Sequence, residues 1–172
     1  MDVIELGIEI SKDESYRDLL KECYDYSKNS KHPSTHNAAF IIKEDKVILK
    51  GVNNFPPGVK ELKERKEGDN KHIYPNHAER DVIYQAAKKG ISTEGLIMVM
   101  PWLPCIPCAN AVISSGIEKL IVHKQMIERT REGWVEELKN AVQIMKEAGV
   151  KIVAYDGLVG AKAYMHSQNW DA

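Results

Sequence analysis

The sequence predicts an α/β protein, an α/β/α sandwich on a mixed sheet, and three observations carry that prediction. Helical and strand periodicities alternate along most of the 172 residues. Two short β-rich segments, NAAFII and KVILKGV, are separated by little more than KEDK, which makes a hairpin and hence antiparallel strands. Every later pair of strands is joined by a helix-length stretch, and helical crossovers join parallel strands.

Taken in order, Ser11 with Glu14 reads as a capping box, after which Tyr16, Leu19, Leu20, Cys23 and Tyr24 repeat at the spacing of one helical face. The hairpin spans residues 37–43 and 46–53. From Asn54 to Tyr74 prolines, glycines and charges follow without periodicity, the pattern of a long surface loop, and such loops inside compact domains are often functional. Val82, Ile83, Ala86 and Ala87 mark a helix that Gly90 ends, and GLIMVM is a strand too apolar to face water on either side. Ala109, Val112 and Ile113 form the inner face of a helix ending near Gly116. The strand KLIVH, a helix around Trp134, Leu138, Val142 and Met145, and the strand VKIVAY complete the pattern. The whole reads as one domain over residues 1–172, with the chain after about Asp156 a short separate segment carrying a helix over Ala161 to Gln168.

Composition narrows the partners. Lysine plus arginine (24) nearly balances aspartate plus glutamate (25), so the strong positive field of nucleic-acid and anionic-membrane binders is missing and a small solute is the expected partner. No apolar run approaches the roughly 20 residues needed to span a bilayer. MDVIELGIEI has neither the basic start nor the cleavage site of a secretory signal, and the expected compartment is the cytoplasm. Cys23 lies in the apolar stripe of the first helix and reads as packing. Cys105 and Cys108 remain, as thiolate ligands or as a redox pair.

His77-Ala78-Glu79 and Pro104-Cys105-Ile106-Pro107-Cys108 each open a helix, and both helices start at the same edge of the predicted sheet. A Cys-x-x-Cys on a first helical turn directs both sulfurs to one side, and the positive helix end favours their thiolates. With His77 they make three ligands. One nitrogen and two sulfurs leave a fourth position on zinc for water, the arrangement of a catalytic site, and Glu79 stands two residues from the ligand to carry the proton. A thioredoxin-like pair or half of a four-cysteine structural site are the competing readings of Cys-x-x-Cys. The chain has no second Cys-x-x-Cys, and a redox pair would follow the first strand of a βαβ unit. H-x-E followed by P-C-x-x-C is the signature of zinc-dependent base deaminases.

NHAERDVIYQAA and PWLPCIPCANAVISSGIEKLIV resemble the cytidine and deoxycytidylate deaminase superfamily, and HPSTHNAAFII with GVNNFPPGV looks like its deoxycytidylate branch. The resemblance runs from the first helix to about Gly149. It implies a five-stranded mixed sheet in a cytidine deaminase-like three-layer fold, hydrolytic deamination and a homo-oligomer. It further implies Zn2+ on His77, Cys105 and Cys108, with Glu79 as proton shuttle. Asn53 matches the asparagine expected to contact the sugar, and backbone groups at Ala78 and from Leu103 to Cys105 match those that read the base edge. Pro101 stands where many relatives carry threonine, and Asn54 replaces the glycine of the usual turn.

The substrate implied is a free cytosine nucleotide, dCMP converted to dUMP. A nucleoside or another aminated base is the alternative within enzymes, and a non-catalytic ligand-binding domain the alternative outside them. Retention of Glu79 argues against the last, since holding zinc does not need it. Lys60, Lys63, Arg65, Lys66, Lys71 and His72 are candidates for a 5′-phosphate, but Glu61, Glu64, Glu67 and Asp69 interleave with them, the pattern first of a solvated loop. Trp102 and Tyr74 read as packing or pocket wall, while His32, His36, His123 and His166 have no spacing that assigns them a role.

Overall fold

A computed structural model describes residues 1–172. Its sheet runs β1 (Glu9–Ser11), β6 (Lys151–Tyr155), β5 (Lys119–His123), β4 (Ile97–Val99), β2 (Ala38–Lys43), β3 (Lys46–Val52) in spatial order. The pairs β1–β6, β6–β5 and β5–β4 are parallel, and β2 is antiparallel to both β4 and β3. Helices α3 (Ala78–Lys89), α4 (Ile106–Ser114) and α6 (Glu132–Glu147) cover one face and α1 (Glu14–Ser27) the other. The two-residue period of the strands divides the core accordingly. Ala39, Ile41, Met98, Met100, Leu120, Val122, Ile152 and Ala154 point to the α3/α4/α6 side. Ala38, Phe40, Ile42, Val99, Ile121 and Tyr155 point to the α1 side with Leu20, Cys23 and Tyr24. The three-layer arrangement expected from the sequence is present.

The sheet has six strands where five were expected, because the residues just before α1 add a parallel edge strand, Glu9 to Ser11 pairing with Val153 to Tyr155. Ser11 therefore ends β1 and does not cap α1. Asp13 is the cap, its Oδ1 accepting from Ser15 N at 2.9 Å. The loop after Asn54 contains a 3-10 turn at Lys63–Arg65 and a single helical turn, α2 (Asn70–Ile73). Between β5 and α6 lies a short helix, α5 (Lys124–Glu128), that periodicity did not reveal.

The tail differs most. No helix forms over Ala161 to Gln168; β7 (Lys162–Met165) and β8 (Gln168–Asp171) form a hairpin around His166 and Ser167, both at positive φ (54° and 64°) as a type I′ turn requires. Alternation decides it. Ala163 and Met165 are buried while Lys162 is exposed, and across the hairpin Trp170 stacks on His123 at 6.1 Å. His123 is itself buried, 2.7 Å from the Tyr24 hydroxyl and 3.0 Å from the Gly157 carbonyl. This packing overrides the helix propensity of alanine, lysine and methionine. Cys23 is buried against the Ala38 carbonyl at 3.3 Å, as its place in the apolar stripe predicts. No helix is long and apolar enough to cross a membrane.

Candidate active site

The carboxyl end of β4, the start of β2 and the end of β3 meet at one edge of the sheet, because β2 runs antiparallel to both neighbours. Ligand sites of open α/β sheets form beside the carboxyl ends of the strands. Two helices begin there. His77 is the N-cap of α3 and Cys105 the N-cap of α4, with Pro107 in the first turn, and neither cap side chain bonds to its own helix. Both side chains are therefore free to face each other, and Cys108 joins them from the first turn of α4.

His77 Nδ1 lies 3.4 Å from Cys105 Sγ and 3.5 Å from Cys108 Sγ, and the three donor atoms fall within 4.8 Å of one another. Zinc with bonds of about 2.3 Å to sulfur and about 2.05 Å to nitrogen, at a tetrahedral angle, sets these atoms roughly 3.5 Å apart. The two nitrogen–sulfur distances fit zinc, and the donor set of one imidazole and two thiols suits it. The Cys108 thiol contact holds Cys105 below its ordinary value, helped by His77 and opposed by burial, and the same contact pushes Cys108 up. Burial lowers the His77 imidazole, but Cys105 and Glu79 outweigh it and leave it raised. A shared divalent cation stabilises both sulfurs as thiolates. Burial opposes the Arg80 charge, but the neighbouring Cys108, Cys105 and Glu79 outweigh it and leave the guanidinium raised, a positive group beside the sulfurs.

Glu79 is 2% exposed, and its Oε2 is buried without a hydrogen-bond partner. Burial pushes its carboxyl above the ordinary carboxylate range, against the pull of His77. An orphan carboxylate oxygen is costly unless something else meets it, and Glu79 lines the same pocket as His77 and Cys105. Asn53 and Ala78, both expected at the substrate, bond to each other: Ala78 N donates to Asn53 Oδ1 at 2.9 Å. Asn53 Nδ2 donates to the Thr35 carbonyl at 3.3 Å. Asn53 lines the pocket while also tying the start of α3 to the end of β3.

Leu103 and Leu138 add apolar wall, and Trp102 lines the pocket with its Nε1 donating to Thr130 Oγ1 at 2.9 Å. Tyr74 does not; it is 43% exposed beneath Arg65. Of the six basic candidates between residues 60 and 72, only Lys71 and His72 reach the pocket. Lys66 pairs with Glu61 at 2.8 Å, Lys63 approaches Glu67 at 3.7 Å, and Arg65 donates to the Lys60 carbonyl at 2.9 Å.

Residues with a sequence signal, His72 and Trp102, complete the wall together with others that had none. His32, His72, Trp134, Trp102 and His166 form a chain of ring contacts around the pocket, with successive centroids 5.3, 5.8, 6.2 and 5.8 Å apart. Burial holds His32 down to about 3 and lowers His72 and His166, so the imidazoles present neutral rings at pH 7. Asn37, only 6% exposed, offers a buried Oδ1 with no partner. His32 and Asn37 sit in HPSTHN, a segment the sequence reading valued only for its resemblance. Arg131 and His166 come from distant elements and left no local trace. His36 instead packs on Tyr164 at 4.7 Å.

Comparison with known proteins agrees with this geometry. Residues 11–124 match the family model for the cytidine and deoxycytidylate deaminase zinc-binding region. An uncharacterized deaminase of Aliivibrio fischeri is 30% identical over 123 residues, 72% of this chain and 81% of that protein. The deoxycytidylate deaminase of Enterobacteria phage T2 is 42% identical over 65 residues, 38% of this chain and 34% of its own. The dCMP deaminase of cyanophage S-TIM5, in complex with dCMP and dUMP, shares the fold with a TM-score of 0.66 at 18% identity, over 85% of this chain and 99% of its own. With its zinc-binding region matched over most of its length, the chain belongs to the cytidine and deoxycytidylate deaminase family.

Proposed function

We propose that the protein catalyses zinc-dependent hydrolytic deamination of a free cytosine nucleotide, dCMP to dUMP with release of ammonia. The observation that carries this reading is the unpartnered, buried Oε2 of Glu79 in one pocket with His77 and Cys105, which together with Cys108 bring three donor atoms to metal spacing. The named activity of the phage T2 relative, 42% identical over its matched stretch, supports the choice of substrate.

His77, Cys105 and Cys108 would hold the metal. With zinc held there, a bound water would be acidified to a pKa of about 7 and would be available as the nucleophile for C4 of the base. Glu79 takes the two protons of the attacking water in turn, passing the first to N3 and the second to the departing amine, so water replaces ammonia and cytosine becomes uracil. Its burial suits this task, because it raises the carboxyl and so favours the protonated form that the shuttle must hold between steps. Asn53 faces the sugar with the Nδ2 hydrogen not given to Thr35. The ring-lined wall excludes water and offers π faces to the base. The thiolates suit a reducing cytoplasm, and we expect a homo-oligomer, which light scattering would report as a multiple of the chain mass.

Ammonia release from dCMP, CMP, deoxycytidine and cytosine, with guanine and adenosine as controls, tests the reading. The highest kcat/KM should belong to dCMP. Turnover of a purine alone would overturn the substrate while leaving the zinc site in place.

A further inference from the structure

We propose that Arg131, His166 and Lys71 form the seat of the substrate's phosphate, which makes the β7–β8 hairpin a specificity element of the active site. The inference rests on the nucleotide reading above and adds to it which residues receive the charge.

The pocket has one carboxylate, Glu79 on its floor, and two permanent cations, Lys71 and Arg131, in its wall. Neither cation has a carboxylate within ion-pair distance, in contrast to the paired Lys63 and Lys66 of the preceding loop. Exposed cations ordinarily only solvate. Here a third group distinguishes the site: His166 Nε2 is buried in the same wall with no hydrogen-bond partner, although an imidazole nitrogen pays for such isolation unless a ligand meets it.

Position and orientation are fixed by the backbone around them. Arg131 Nη2 donates to the His166 carbonyl at 3.1 Å, which aligns the guanidinium along the hairpin turn and leaves its remaining donors free. The turn is anchored in its place, with Ser167 N donating to the Ser34 carbonyl at 2.8 Å and His166 N to Thr35 Oγ1 at 3.4 Å. Ser34, Thr35 and Ser167 also line the pocket, so hydroxyl donors accompany the cations. Arg131 and His166 border a second recess as well, where Arg129 stacks on Trp170 at 4.2 Å. The positive region thus continues outward from the mouth. A dianionic phosphate is the ligand chemistry that these donors complement, since arginine forks and a neutral imidazole N–H all donate to phosphate oxygens.

The test compares kcat/KM for dCMP and deoxycytidine, together with calorimetric binding of dUMP and deoxyuridine, in the zinc-loaded protein and its variants. Arg131→Gln should collapse the nucleotide-to-nucleoside ratio by about ten- to a hundredfold, the range of one charge-assisted contact. It should weaken dUMP binding by a similar factor. Lys71→Gln, a milder change, should lower the ratio severalfold, and Lys63→Gln should leave it alone. A native-like ratio in both Arg131→Gln and Lys71→Gln, with folding verified by circular dichroism, would overturn the seat while the nucleotide reading stands. If the native protein itself shows no preference for dCMP over deoxycytidine, the nucleotide reading falls and the seat falls with it.

Discussion

Gly51→Ala should loosen the metal site from a distance. Gly51 lies in β3 where α3 crosses it, and a Cβ there would stand 2.7 Å from the Ala78 carbonyl oxygen, 2.7 Å from Val82 N and 2.9 Å from Val82 Cβ. Two of these atoms are helix backbone, so no side-chain rotation relieves the contact. Ordinary contact starts near 3.4 Å, and α3 must withdraw by about 0.7 Å to restore it. Overpacking of this kind costs about 1–3 kcal/mol, or roughly 2–12 °C in melting temperature for a domain of this size. The same movement carries His77, the cap of that helix, and Glu79 in its first turn away from Cys105 and Cys108. Zinc sites tolerate about 0.2 Å in ligand distance, so affinity should fall about tenfold or more. Thermal melts and competition with a chelator measure the two effects. Gly133→Ala is the control, because nothing lies within 4 Å of its Cβ position in the first turn of α6 and alanine there is neutral or slightly stabilising. Equal melting temperature and equal zinc retention in the two variants would refute the reasoning.

Two further outcomes are expected. His32 Nδ1 accepts from Ser34 N and Thr35 N at 3.3 and 3.1 Å, and burial holds the folded-state value at about 3 against an ordinary 6.5. Its contribution is therefore complete above pH 6.5 and lost as pH falls toward 3, at most about 1.4 kcal/mol per pH unit. Denaturant titrations from pH 7 to 4 should show this acid limb, and His32→Asn, which keeps an acceptor but does not titrate, should flatten it; an unchanged limb assigns the loss elsewhere. Cys105→Ala and Cys108→Ala should each abolish tight zinc binding measured by elemental analysis, whereas Cys23→Ala should retain it, since Cys23 is buried against Ala38 and Val99 carbonyls away from the site.

The gathering of His77, Cys105 and Cys108 at metal spacing was legible because it is encoded in local spacing. His77 and Cys105 each cap a helix, and Cys-x-x-Cys on a first turn places both sulfurs on one side, so three candidate donors followed from two short strings. The layered fold was legible for a similar reason, as periods of two and about 3.6 mark the faces of strands and helices. The misses fall where tertiary contact decides. Three residues of β1 are too few to carry a period, and Asp13 displaced the expected cap by lying nearer the start of the helix. The hairpin at the tail depends on Trp170 reaching His123 and Tyr24. The pocket mouth gathers His32, His72, Arg131 and His166 from four separate segments, and no one-dimensional pattern joins them. Apart from His72, they became visible only as unpartnered groups and ring contacts.

The most direct measurement is zinc content and dCMP turnover of the Glu79→Gln variant, side by side with the native protein. Glutamine keeps the size of the side chain and cannot exchange the proton, and Glu79 is not among the three donors at metal spacing. The account predicts about one zinc per chain in both proteins and a loss of about 10²–10⁴ in turnover in the variant, the usual contribution of a positioned acid–base group. Near-native turnover by Glu79→Gln with zinc bound would contradict it.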